Sequence, residues 1–150
     1  MSRHRAPDLF LDYEPPQVVD RFAAERMRVA QASQRVARAV AEAMKESRKS
    51  RETVASEMSD FLGDAVTVAM LNQYASPSNA GHNIPAHRLI ALAHVTGQAA
   101  RLFNALTADL GLIVLDAKYE PLIRRELARE IADKAERDAA AADAQWRSRR

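Results

Sequence analysis

The chain has 150 residues and a formal net charge of +2; 47% of its residues are apolar and only 5% are aromatic. This length suits one domain with extensions, and many alanines beside four glycines favour an all-α fold, because alanine loses no side-chain entropy in a helix. The absence of cysteine excludes disulfides, thiolate metal sites and thiol nucleophiles, and without an apolar membrane span or secretory leader we expect a cytoplasmic protein.

Residues 1–28 are predicted to form an extended arm. Pro7, Pro15 and Pro16 interrupt this segment, and no helical period of apolar residues begins before Val18. An apolar triplet at residues 9–11, Leu-Phe-Leu, predicts that the arm docks on an apolar surface.

A five-helix domain is predicted for residues 29–108. The first helix runs from Val29 to near Arg48, with apolar residues recurring at helical spacing. Ser50 is a favourable N-cap for the second helix, and Gly63 is its natural end.

The remaining helices of this domain are short. Thr67 caps the third helix, and a polar loop over residues 76–84 follows it. Pro85 stands where the fourth helix begins, and Gly97 is where it ends. The fifth helix is predicted for residues 99–106.

Residues 109–150 are predicted to form a short extended segment and an added C-terminal helix. The β-branched run at 112–115 has two interpretations: a short strand near 111–116 that pairs with the arm, or irregular chain that fills the core. The helix begins near Lys118, and its basic end, residues 139–150, is predicted to fray. One narrow apolar stripe follows the helix, formed by Leu122, Ile123, Leu127 and Ile131.

Positive charge is concentrated at the front of the predicted domain. Residues 21–51 contain nine Arg or Lys and three Glu, a net charge of +6, whereas residues 65–108 contain two Arg and no acid. The predicted basic face comprises Arg35, Arg38, Lys45, Arg48, Lys49 and Arg51. With no acidic counterpart, this face predicts contact with phosphates; the alternative is an ordinary solvated helix face.

The second and third predicted helices have the features of a helix-turn-helix. Such a unit needs a small residue where its helices cross, apolar residues for their shared core, and polar residues that reach base edges. The residues that meet the first two needs are Val54, Ala55, Met58, Leu71 and Tyr74. Here the sequence resembles the lambda-repressor-like (Xre) DNA-binding domains, whose pattern continues with a loop, a proline and a Leu-x-x-Leu-Ala helix like "PAHRLIALA". The resemblance covers residues 29–106.

The whole chain also looks like a small protein that Mu-like transposable phages encode among their early regulatory and transposition genes. The segments that carry this second resemblance are "PDLFLDYEPPQVVDRF" and "LDAKYEPLIRRELAREIADK". Together the two resemblances imply a phage or prophage regulator of transcription that binds specific double-stranded DNA in the cytoplasm of a bacterial host. They imply a homodimer, and dimerisation through the arm or the 118–134 helix would set the spacing of DNA half-sites.

The resemblance also implies roles for individual residues. The third helix, about 67–75, would enter the major groove. The residues that would face base edges are Val68, Ala69 and Gln73, to which we add Asn72. Thr67 would contact a phosphate. The positive charge beside the motif, rather than the resemblance, predicts further phosphate contacts at Arg48, Lys49, Arg51 and Arg88. Of the first set, a glutamine can pair bidentately with adenine, whereas valine and alanine can touch only a thymine methyl group.

The chain departs from this family between the two helices. It has "SDFLGDA", residues 59–65, where the family usually has one glycine, which adds six residues. Phe61 and Leu62 continue the apolar stripe, so we expect the second helix to extend by more than a turn. Two of the three usual reading positions are apolar. Either specificity comes from Asn72, Gln73 and the arm, or the fold has been kept while DNA reading has been reduced.

The competing hypothesis is a protein interaction module of a phage transposition or regulatory complex. In that case the same helices bind a phage or host protein and do not read DNA. An open edge over residues 67–73 beside positive charge would favour DNA. A cover formed by Phe61, Leu62 or the 76–84 loop would favour a protein partner.

No enzyme, cofactor or metal is expected. His82, His87 and His94 lack nearby carboxylates and the i, i+4 spacing of a helical metal site. No glycine-rich phosphate loop is present, and no histidine follows the Asp and Ser residues of the 59–64 turn at a catalytic spacing.

Overall fold

Among the residues that the structure describes, five α-helices follow one another in the first of two compact units, Met1–Val114 and Leu115–Arg150, of this computed structural model. The structure describes residues 18–28, 31–79 and 81–149. The helices are α1 (Ala32–Glu46), α2 (Arg51–Leu62), α3 (Val68–Tyr74), α4 (Ala86–Thr96), α5 (Ala99–Thr107) and, in the second unit, α6 (Glu120–Ser148). Three short 3-10 helices cover Ala24–Met27, Ala108–Leu110 and Ala117–Tyr119. The described residues contain no strand, so the all-α prediction is confirmed.

Local sequence signals set the helix boundaries as predicted. Ser50 Oγ accepts a hydrogen bond from the Thr53 backbone N–H (3.1 Å), which caps α2. Gly63 has φ 65° and Gly97 has φ 68°, left-handed values that end α2 and α4 and that glycine adopts without a Cβ penalty. The start predicted at Val29 lies outside the described residues, and α1 is helical from Ala32.

The first unit packs around two groups of buried side chains. α1 contacts α4 and α5, while α2 packs against α3 and α4. The larger group includes Val40, Met58, Leu71 and Leu92, all fully buried. The second group includes Leu102 of α5 and Phe22, which belongs to the segment predicted as the arm. The arm's triplet at residues 9–11 lies outside the described residues.

The strand interpretation of residues 111–116 is wrong. Residues 112–116 have no regular secondary structure. At Val114 a buried side chain satisfies the backbone groups that a strand partner could have satisfied. Asn104 Oδ1 accepts from the Val114 backbone N–H (2.7 Å), and Asn104 Nδ2 donates to Val114 O (2.8 Å) and to Asp20 O (3.0 Å). One asparagine therefore joins the end of the arm to this segment.

The C-terminal helix is longer than predicted. α6 continues to Ser148, so the expected fraying from residue 139 is not observed in the described residues. Alanines fill much of the segment 139–144, and their high helix propensity explains the continuation. Every described residue of α6 is exposed. No helix in the described ranges has the length and hydrophobicity needed to cross a membrane.

Candidate nucleic-acid interface

The α2–α3 pair is held by a shared core and by an ordered turn. Met58 of α2 and Leu71 of α3 are both fully buried. In the longer turn, Ser59 Oγ donates to Ala55 O (2.8 Å) and accepts from the Val66 backbone N–H (2.9 Å). Val66 is itself buried, so the added residues form a fixed connection that continues into the N-cap of α3.

The outer side of α3 is open. Thr67, Ala69, Asn72 and Gln73, which we call the α3 edge, are all exposed. Thr67 Oγ1 accepts from the Met70 backbone N–H (3.2 Å), which confirms the predicted cap. Val68 is half-buried against the core, so its side chain does not belong to this edge, although the sequence pattern placed it among the base-facing residues.

The side chains predicted as a possible cover lie elsewhere. Phe61 stacks on His94 of α4, with ring centroids 4.7 Å apart. Leu62 is half-buried and packs against the core. No described residue buries the α3 edge, so this edge is accessible to a binding partner.

Arg88 of α4 is bound within the protein. Its Nη1 donates to Tyr74 Oη (2.6 Å), and its Nη2 donates to Asp64 Oδ2 (3.1 Å). These hydrogen bonds, the Tyr74 one foremost, raise the pKa of the Arg88 guanidinium. Its side chain is only 15% exposed, and a carboxylate partner compensates its charge. Arg88 therefore connects α4, the turn and the end of α3, a positioning contact rather than the phosphate contact that its sequence position indicated.

The basic face has acidic counterparts, contrary to the sequence-based expectation. Arg35 forms an ion pair with Asp109. Lys49 Nζ donates to Glu57 Oε2 (2.6 Å) and to Val95 O (2.9 Å). The exposed cations of this face that remain without a carboxylate partner among the described residues are Lys45, Arg48 and Arg51.

Arg51 connects this residual charge to the α3 edge. Its Nη1 donates to Asn72 Oδ1, so the first residue of α2 holds the side chain of a predicted base reader. The partner is a neutral amide, so the charge of Arg51 is not cancelled. A cation at the start of a helix is disfavoured by the helix dipole, and bound phosphate would offset that cost.

Arg48, another of these exposed cations, has an unusual backbone conformation. It has φ 56°, the only positive value at a non-glycine residue in the described parts of the chain. The left-handed conformation costs an L-residue roughly 1–2 kcal/mol. An exposed arginine kept in such a conformation between α1 and α2 is the kind of local strain that functional positions often carry.

Comparison with known proteins adds no relative. No protein-family model, curated protein or solved structure gives a significant match to this chain. The candidate interface therefore rests on its own geometry.

Sequence reasoning identified the α3 edge but missed the side chains that hold it. The Arg51–Asn72 contact spans 21 positions and the Arg88–Tyr74 contact spans 14, and no periodic pattern in the sequence signals either pairing. A buried arginine needs a hydrogen-bond acceptor, and a tyrosine hydroxyl can supply one. The residue types alone do not show which tyrosine or carboxylate Arg88 meets.

Proposed function

We propose that this chain is a sequence-specific DNA-binding regulator of transcription, of phage or prophage origin, that acts as a homodimer in the cytoplasm of a bacterial host. The observation that carries the proposal is the open α3 edge, whose Asn72 is held by the uncompensated Arg51. The phage origin rests on the resemblance of the whole chain to the Mu-like phage protein.

The proposed contacts divide into positioning and reading. Lys45, Arg48 and Arg51 lie before or at the start of α2 and would grip phosphates, which carry no sequence information. Asn72 and Gln73 on α3 would read bases, since both amides can pair bidentately with the N6 and N7 atoms of adenine. Ala69 would touch a thymine methyl group, and Thr67 would donate its hydroxyl to a phosphate.

Binding of phosphate by Arg51 would free the side chain of Asn72 for base recognition. In the free protein, Arg51 occupies the carbonyl oxygen of Asn72. Once Arg51 turns to a phosphate, Asn72 is free to present both its donor and its acceptor to a base. Phosphate binding by Arg51 and base recognition by Asn72 would thus be coupled through one hydrogen bond.

The proposal is tested by fluorescence anisotropy on duplex fragments from the source genome, at two salt concentrations. We expect Arg51→Ala to weaken binding to every duplex and to reduce the salt slope by about 1. We expect Gln73→Ala to weaken binding to the preferred fragment about tenfold and to leave weak non-specific binding unchanged.

Matched controls are available on α6. Arg129 and Gln145 are exposed, so Arg129→Ala and Gln145→Ala remove the same groups away from the proposed interface. Binding that depends on salt but not on Gln73 would reduce the proposal to a basic patch on phosphates. Absence of binding at micromolar concentrations would overturn it and favour the protein-interaction module.

Arg48→Gly provides a second prediction, because stability and binding should change in opposite directions. Glycine adopts φ 56° without the Cβ penalty, so we expect the free energy of unfolding to rise by roughly 0.5–1 kcal/mol. Loss of the guanidinium should weaken DNA binding. Urea unfolding and anisotropy on the same preparation measure both effects, and a variant that is more stable but binds equally well would remove Arg48 from the interface.

A further inference from the structure

The α6 helix has an exposed face whose residues are spaced symmetrically about one isoleucine. Five residues on this face, which we call the α6 seam, are Arg124, Leu127, Ile131, Ala135 and Asp138. Their successive spacings are three, four, four and three, which keeps them within an arc of about 80° at 3.6 residues per turn. The spacings are therefore the same on both sides of Ile131, although the side chains differ.

Within its own unit the seam is exposed. Leu127 is 54% exposed and Ile131 is 69% exposed, and no residue of α6 is buried. Most helical stability in proteins comes from packing of an apolar face, so a helix of 29 residues without any buried side chain lacks its usual source of stability. A partner along the seam would supply it.

The charges of the seam select the partner and its direction. Arg124 and Asp138 lie seven residues on either side of Ile131. In an antiparallel pair of α6 helices centred on Ile131, Arg124 of each copy faces Asp138 of the other. A parallel pair would place Arg124 opposite Arg124 and Asp138 opposite Asp138, and like charges in contact are destabilising.

Side-chain size agrees with this arrangement. About the same centre, Leu127 lies opposite Ala135, so a large side chain meets a small one in both halves, and Ile131 meets its own copy. Net charge agrees as well: residues 118–130 carry +1 and residues 132–144 carry −2, and an antiparallel pair brings these halves together.

We infer that two copies of this chain associate through an antiparallel pairing of their α6 seams centred on Ile131. This inference rests on the proposed homodimer and specifies its surface, but it does not require DNA binding. Arg124 also contacts Glu120 of its own helix (2.5 Å), and its five donors allow both contacts at once. An antiparallel two-fold interface is closed, so association stops at the dimer.

The test is sedimentation equilibrium of the full chain without DNA, with circular dichroism to confirm that helix content is kept. Ile131→Glu would place two carboxylates at the two-fold axis, and we expect the dimer dissociation constant to rise at least about tenfold. Leu122→Glu is the matched control. Leu122 is exposed, and although the sequence analysis placed it in the same stripe as Ile131, the nine positions that separate them put it about 180° around α6. We expect its dissociation constant to stay within about threefold of wild type.

A charge exchange tests the direction. Arg124→Asp should weaken the dimer about tenfold, and Arg124→Asp/Asp138→Arg should restore it, because only the antiparallel pair converts the exchange into two opposite-charge contacts. Arg125→Asp is the control: Arg125 lies off the seam and also loses a contact, with Glu126. A double variant no better than the single one would overturn the antiparallel direction.

The failures of the two proposals can be told apart. A wild-type chain that stays monomeric, or a dimer unaffected by Ile131→Glu, would overturn the seam even if the chain reads DNA. A dimer that depends on the seam but binds no DNA would leave this inference intact and remove the DNA-binding function.

Discussion

Replacing Leu71 with alanine is expected to lower the free energy of unfolding by about 3 kcal/mol. Leu71 is fully buried and is one of only two buried residues of α3, the other being Tyr74. Its truncation removes apolar contacts and leaves a cavity in the buried group that α3 shares with α2 and α1, which cannot fully collapse. Urea unfolding followed by circular dichroism measures the loss.

The same substitution should loosen α3 more than the rest of the protein. A helix of seven residues has too few hydrogen bonds to form alone, so α3 exists because its two anchors are packed. We expect faster hydrogen exchange at the backbone amides of residues 70–75, and weaker DNA binding where the proposed function is correct. Leu110→Ala is the control, since Leu110 is 69% exposed, and it should change stability by less than about 0.5 kcal/mol. Equal losses in the two variants would contradict the anchoring role of Leu71.

Much of the first unit could be predicted because its boundaries are encoded locally. Ser50 and Thr67 cap the helices that follow them, and Gly63 and Gly97 end helices in the left-handed conformation. Each of these signals acts over three or four residues, so a single sequence is enough to predict where the helix begins or ends. The burial of Leu71 and Tyr74 followed from helical spacing for the same reason.

Electrostatic pairing could not be predicted in this way. Counting charges along residues 21–51 gave a basic face, but the structure pairs Arg35 with Asp109 and Lys49 with Glu57. Arg26 contacts both Glu42 and Glu46, so acidic residues of α1 are also engaged. Which carboxylate meets which cation depends on helix packing, and that information is distributed over the whole fold. The candidate phosphate contacts therefore had to be reduced to a smaller set.

The positions of Val68 and Arg88 show the same limit at the candidate interface. Both were expected to contact DNA, and both are turned toward the protein, Val68 against the core and Arg88 toward Tyr74 and Asp64. The six added residues between the helices change the environment of α3, so a role carried over by position does not fix where a side chain points. The polar residues Asn72 and Gln73 are on the exposed edge. Base recognition by their side-chain amides is therefore the part of the prediction to test.

Replacing Asn104 with leucine is expected to lower the free energy of unfolding by about 3 kcal/mol, although the two side chains are similar in size. Asn104 is 2% exposed and makes three hydrogen bonds to backbone groups of Asp20 and Val114. Leucine would leave two carbonyls and one N–H of partly buried residues without these partners, and each lost hydrogen bond costs about 1 kcal/mol. Asn83→Leu provides the control, since Asn83 is exposed and its replacement should be nearly neutral.

A second variant separates hydrogen bonding from packing at this site. Asn104→Asp keeps the acceptor for the Val114 N–H but loses both donors, and its carboxylate would face the carbonyl oxygens of Asp20 and Val114. We therefore expect Asn104→Asp to be destabilised as well, in urea unfolding and in limited proteolysis near residues 18–20 and 112–114. If leucine were tolerated at wild-type stability, the asparagine would be dispensable. The arm's end would then be held by Phe22 and by the Arg101–Asp20 ion pair, and the segment after α5 by the hydrogen bond from Thr107 to Leu112 O.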